Sequence, residues 1–150
     1  MENDHKTTVK NKLSMFYQEN REKSFKSWNW KATSNCSAKK LAEAGFYFIG
    51  TQEEPDAVQC FFCDKALDGW DEDDDPWQEH KTHSLECAFA KTNLSEDNLT
   101  TGQRLDFHSQ LVKKLIKQYV DVTLKHFNQD HNVNYTKIKK AVNGLKRSRK

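Results

Sequence analysis

Four side chains limit how this chain can fold. Cys60 and Cys63 are separated by two residues, His80 follows after sixteen more, and Cys87 after another six. A C-x2-C pair on a tight strand–turn can bring two sulfurs to one ion. His80 and Cys87 are seven residues apart in a stretch that reads as a helix, which predicts that they share a face two turns apart. Four nitrogen and sulfur ligands of this kind describe a closed tetrahedral zinc site holding one structural Zn2+. His83, one turn from Cys87, is a competing ligand on spacing alone. A closed ligand set leaves no position for a reacting water, so the metal is expected to support the fold. The sequence offers no nucleophile–base pair and no glycine-rich phosphate loop, and the expectation is a non-enzyme.

Composition explains why a staple is needed. Only 35% of the 150 residues are hydrophobic and 31% are charged, with a mean hydropathy of −0.98. Such a chain cannot fill a large core over its whole length. A small α+β domain followed by an extended part is expected. No apolar run approaches the ~18 residues of a membrane span. The opening MENDHKTTVKNK has no apolar core for a signal peptide, so a reducing compartment and ligand or free thiols are expected. Cys36, far upstream, reads as a small buried apolar residue.

Charge is unevenly placed although the net is +2. Between Glu53 and Glu79 there are eleven acids and one base, Lys65; from Tyr135 to Lys150 there are seven bases and no acid. The first stretch suits cationic ligands and the second polyanions.

Residues 1–12 read as a disordered lead, 13–94 as the compact domain, 95–104 as a linker, 105–143 as a long helix and 144–150 as a basic tail. Within the domain, NCSAKKLAEAGFYF carries a helix with Ser37 as N-cap and Gly45 as its stop. FYFI and AVQCFF are short β-type runs, with a turn at 64–65. DPWQEHKTHSLECAFA opens as a helix, with Asp75 capping and Pro76 in the first position. In the long helix, Leu105, Val112, Leu115, Tyr119 and Val122 follow a three–four spacing. Ile116, Val120, Leu124 and Phe127 widen the apolar surface onto the next face, which calls for partner helices outside the chain. Residues 128–134 are weak helix formers, and a kink or end is expected there.

LAEAGFYFIG, CFFC…LDGW, DDDPWQEHKTHSLECAF and the upstream REKSFKSW together resemble the baculoviral inhibitor-of-apoptosis repeat, the BIR domain. A single repeat followed by a long helix resembles the chromosomal-passenger branch of that family. The resemblance implies a three-stranded antiparallel sheet among short helices. It implies zinc on Cys60, Cys63, His80 and Cys87, choosing His80 over His83, and a structural role for Arg21. It further implies a groove that takes a free N-terminus beginning with alanine, with Asp74 and Glu79 for the ammonium and Trp70 walling the methyl. In this branch the ligand is the histone H3 tail phosphorylated on threonine; Lys65 and His83 then meet the phosphate, and Asp68, Glu54 and Asp56 the basic side chains. The helix would assemble with Borealin-like and INCENP-like helices and so carry Aurora kinase to centromeres and the spindle midzone, with nuclear and cytoplasmic pools. A caspase inhibitor, or a binder of apoptotic Ala-start peptides, is the alternative from the same family.

The chain departs from the branch where such proteins homodimerise. Thr101 and Arg104 stand where apolar side chains are expected, leaving Leu94, Leu99 and Leu105, and Leu13 replaces an expected tryptophan. The expectation of a homodimer is weakened accordingly.

Overall fold

A computed structural model describes the backbone of residues 2–147 and the side chains of 7–129 and 131–140. The chain divides into two units, residues 1–112 and 113–150.

The first unit is built on a small sheet. Strands β1 (Phe46–Phe48), β2 (Val58–Cys60) and β3 (Ala66–Leu67) pair antiparallel in that order, with Phe46 opposite Cys60 and Val58 opposite Leu67. Helices α1 (Glu2–Ser14), α2 (Gln18–Ser24) and α3 (Ala38–Glu43) precede the sheet; α4 (Pro76–His83) and α5 (Ala88–Thr92) follow it. This is the α+β arrangement expected from the sequence. Gly45 ends the α3 segment at φ +94° and passes its chain under Phe89. An added Cβ would lie 2.8 Å from the Phe89 ring, so the residue must be glycine for two independent reasons.

The core is aromatic. Phe61 and Phe89 meet edge to face at 4.9 Å, and Trp77 stacks on Phe89 at 5.6 Å. Arg21 lies wholly buried beneath Phe61, its guanidinium 4.5 Å from the ring centroid. It donates to the carbonyls of Ala42 (2.9 Å), Met15 (2.8 Å) and Phe16 (2.6 Å), stitching α2 to α3 and to the preceding turn. Burial lowers its pKa to about 10 while Glu96 pulls it back up. The structural role implied for Arg21 is met in these bonds.

Three expectations about the ends of the domain are corrected. Residues 2–14 form α1 where a disordered lead was expected, and Lys12 of α1 pairs with Asp64 at 3.1 Å. That partly buried contact supplies what the polar sequence of α1 does not advertise. The expected linker, 95–104, is mostly ordered: Glu96–Asn98 is a 3-10 turn, and α6 (Thr101–Arg147) begins four residues earlier than expected. Its start is a capping box. The Gln103 backbone N–H donates to Thr100 Oγ1 at 3.2 Å, and the Thr100 backbone N–H donates to Gln103 Oε1 at 2.9 Å. The third correction concerns 128–134, which α6 crosses without a break. Adding a residue to an existing helix costs only a few tenths of a kcal/mol even for weak formers, because nucleation is already complete. Of the expected basic tail, residues 148–150 lie outside the described backbone and 144–147 outside the described side chains.

The first turns of α6 belong to the compact unit. Phe107 and Leu111 are buried, Phe107 against Phe62 (5.3 Å) and Phe89 (5.8 Å), and His108 meets Phe16 edge-on at 5.0 Å. Leu105, expected to meet a partner helix, is 68% exposed. In the second unit Leu115 is buried, Val112 at the boundary and Tyr119 are half-buried, and Ile116, Val120, Leu124 and Phe127 are exposed. No described helix is long and apolar enough to cross a membrane.

Candidate functional site

The four ligand residues converge as their spacing required, although by a different path. Cys60 ends β2 and Cys63 closes the turn after it; the Phe62 and Cys63 backbone N–H groups point at Cys60 Sγ at 3.3 and 3.5 Å. His80 is in the middle of α4. Cys87 is not on that helix: α4 ends at Ser84, and Cys87 is the N-cap of α5, its sulfur accepting from the Ala90 backbone N–H at 3.5 Å. The expected shared helix face is therefore replaced by a turn, closed by Cys87 N–H to Ser84 O at 3.0 Å. His83 is outside the cluster.

The ligand atoms of Cys60, Cys63, His80 and Cys87 all lie within 4.8 Å of one another. Cys63 Sγ is 3.5 Å from His80 Nε2. A tetrahedron with metal–sulfur bonds of about 2.3 Å and metal–nitrogen bonds of about 2.0 Å has an S···N edge of roughly 3.5 Å. His80 Nδ1 is 2.8 Å from the Ala44 carbonyl, which fixes the ring and leaves Nε2 for the cluster. Burial pushes the Cys60 thiol up, while hydrogen bonding from Cys60 and Cys87 favours the Cys63 thiolate. Burial alone would lower the His80 imidazole, but its bonds to Cys63 and Cys87 raise it to about 9. One metal ion fits this set; its thiolates would supply charge and its histidine a fixed donor. Cys36 takes no part. It is wholly buried, and burial drives its thiol to about 12.

Beside the cluster, Leu67, Asp68, Gly69, Trp70, Asp74, Glu79 and His83 line one cleft of about 40 Å³. The hollow has room for a small group. Trp70 is 6% exposed and meets Phe46 edge to face at 5.6 Å; it is a core residue whose remaining edge forms a wall of the cleft. Glu79 and His83, one turn apart on α4, are 3.3 Å apart. Asp74 turns one oxygen to the Asp71 backbone N–H at 2.8 Å. The N-cap Asp75 accepts from Trp77 and Gln78 N–H at 2.9 and 3.3 Å, which fixes the entry of α4 and so the placement of Glu79.

Of the eight groove residues expected from the sequence, five meet in the cleft: Asp68, Trp70, Asp74, Glu79 and His83. Lys65, Glu54 and Asp56 are not among its lining residues. Lys65 is exposed at the turn before β3, held by its carbonyl accepting from Cys60 N–H at 2.9 Å. Asp56 holds the Trp70 backbone N–H at 2.9 Å and so serves the wall. Glu54 is exposed. Leu67 and Gly69, the latter at φ +72°, were not singled out in the sequence, where nothing but their proximity to Trp70 marks them.

Residues 21–91 match the family model described as the BIR, or Inhibitor of Apoptosis, domain. The guinea pig (Cavia porcellus) protein named Baculoviral IAP repeat-containing protein 5 is 36% identical over 115 residues, covering 77% of this chain and 81% of the relative. The mouse (Mus musculus) protein of that name is 38% identical over 105 residues, 70% and 75% of the two chains. The Xenopus laevis form 5.1-B is 32% identical over 117 residues, 78% and 73%. This chain belongs to the BIR-domain, inhibitor-of-apoptosis family. Its Cys3His cluster and three-stranded sheet are those of a BIR domain, and proteins of this family are generally non-enzymatic adaptors.

Proposed function

We propose that this BIR protein is a non-enzymatic chromosomal passenger subunit that reads the histone H3 N-terminus phosphorylated on threonine. One structural Zn2+ on Cys60, Cys63, His80 and Cys87 holds the domain together. The observation that carries the reading is the cleft itself, in which a tryptophan edge and three carboxylates surround a small hollow. A chain beginning with alanine presents a methyl and an ammonium within a few ångströms of each other, and these are the two groups that such a hollow complements. Asp74 and Glu79 meet the ammonium; Trp70 walls the methyl; Asp68, with Glu54 and Asp56 outside the cleft, favours the basic side chains that follow. A phosphate carrying about −1.5 to −2 charges needs cations, and this reading gives that role to His83, which lines the cleft, and to Lys65, on the exposed turn before β3. The exposed face of α6 receives a Borealin-like and an INCENP-like helix, and through them Aurora kinase is brought to centromeres and the midzone.

Charge reversal tests the phosphate assignment. Lys65→Glu is expected to abolish the preference for phosphorylated over unmodified H3 peptide in a calorimetric titration. Discrimination unchanged by that substitution would refute the assignment of Lys65. Capture of an apoptotic Ala-start peptide needs only the cleft and would be unaffected.

A further inference from the structure

The two units carry opposite charge. Residues 1–112 hold 13 Lys and Arg against 20 Asp and Glu, whereas residues 113–150 hold 11 against two, Asp121 and Asp130. The second unit is thus at +9 over 38 residues, nearly all of it one helix. We infer that the basic part of α6 binds the phosphate backbone of duplex nucleic acid. This surface is additional to the peptide cleft and to the apolar stripe.

Three observations favour that partner. The lysines do not form one shaped face. At 100° per residue, Lys117, Lys139 and Lys125 fan out along one flank, Lys113 lies at the apolar stripe, Lys140 lies on the far side and Lys137 on the opposite flank. All six are exposed. A charge spread around a rod fits a polyelectrolyte, whose binding depends on total neutralised charge and not on register. The unit is also long. At 1.5 Å per residue its helical part, residues 113–147, spans roughly 52 Å, over which a duplex presents a phosphate about every 1.7 Å. Finally, the stripe of Ile116, Val120, Leu124 and Phe127 is exposed but continuous, and the proposed function assigns it to partner helices. That assignment is the one point at which this inference rests on the earlier reading. With the stripe covered, what the helix offers outward is ammonium groups, which cannot insert into a lipid interface without an apolar face.

The test uses the full chain and a 30-base-pair duplex of mixed sequence, followed by fluorescence anisotropy between 50 and 200 mM salt. Binding is expected to weaken with salt, with a log–log slope of about −0.9 for each phosphate neutralised. Two triple variants, Lys113→Gln/Lys117→Gln/Lys125→Gln and Lys137→Gln/Lys139→Gln/Lys140→Gln, keep helix-forming side chains. Each is expected to weaken binding at least tenfold at 100 mM salt and to flatten the slope, with the circular dichroism of α6 preserved. The inference is overturned if the wild type does not bind at 50 mM salt, or if both variants bind as it does. It is also overturned if polyglutamate of equal charge displaces the duplex one for one. An H3-peptide titration on the same samples separates the two proposals. Duplex binding without peptide binding refutes the groove reading alone, and peptide binding without duplex binding refutes the helix inference alone.

Discussion

Removing the Glu96 charge should destabilise the BIR unit far more than removing any surface ion pair. Glu96 is 8% exposed and joins three segments. It accepts from the Gln18 backbone N–H at the start of α2, pairs with Arg104 at 2.6 Å, and lies 3.9 Å from the Arg21 guanidinium. Arg21 is fully buried, so Glu96 is the carboxylate that offsets a cation without access to water. Breaking such a buried pair by removing one partner costs about 3–5 kcal/mol. Glu96→Gln keeps the shape and still accepts hydrogen bonds, and Arg21 retains three carbonyl acceptors, so a loss of about 2–3 kcal/mol is expected. All four tryptophans lie between Trp28 and Trp77, so tryptophan fluorescence during urea unfolding reports on this unit. With an m-value of about 1–2 kcal/mol per molar urea, the midpoint should fall by roughly 1–3 M. Glu86→Ala, which removes an exposed pair with Lys91 (3.2 Å), should shift it by no more than the equivalent of ~0.5 kcal/mol. If Glu96→Gln unfolds within that same margin, the three carbonyls suffice for Arg21 and the argument from uncompensated charge is wrong.

Other perturbations reach other parts of the account. Gly45→Ala combines a positive φ with a Cβ 2.8 Å from Phe89, and a loss of more than ~2 kcal/mol is expected in the same urea assay. Withdrawing the metal with a chelator should collapse the tryptophan signal of the BIR unit, because ligand binding and folding are coupled in small metal domains; a native-like spectrum after removal would contradict the structural role. Cys36 should resist a thiol reagent until the unit unfolds. Burial raises its pKa from 9.0 to about 12, so the proton is held more tightly in the folded state. The associated stability is complete below pH 9 and declines as the pH rises towards 12, and Cys36→Ala should remove that part of the alkaline loss in a pH series of urea midpoints. Asp56→Ala frees the Trp70 backbone N–H and is expected to weaken Ala-start peptide binding severalfold by calorimetry, with the metal retained.

Much of the site was legible because it depends on local rules. The Cys-x2-Cys knuckle, the Asp75 cap followed by Pro76 and the Gly45 stop each express a constraint that a few neighbouring residues impose on one another. Part of what could not be read depended on contacts distant in sequence. Seven residues from His80 to Cys87 match two helical turns, yet Ser84 ends α4, and the sulfur arrives by a turn that brings it to the same point. The polar α1 has no pattern of its own; its Lys12 reaches Asp64, 52 residues away. In α6 the three–four spacing admits two registers. Phe107 turns into the domain because the aromatic pocket of Phe62 and Phe89 that receives it comes from elsewhere in the sequence. Thr100 and Gln103 form a capping box that the sequence carries in full, hidden in a stretch read as linker.

The central claim is that the cleft beside the metal reads a free, phosphorylated histone tail. Calorimetric titration of the full chain with H3 N-terminal peptides tests it most directly, using phosphorylated, unmodified and N-acetylated forms beside an Ala-Val-Pro-Ile peptide. The account predicts that the phosphorylated, free-amine peptide binds at least tenfold more tightly than each of the others, a margin of about 1.4 kcal/mol. Tighter binding of the apoptotic peptide, with phosphorylation making no difference, would contradict it and make Lys65 and His83 bystanders.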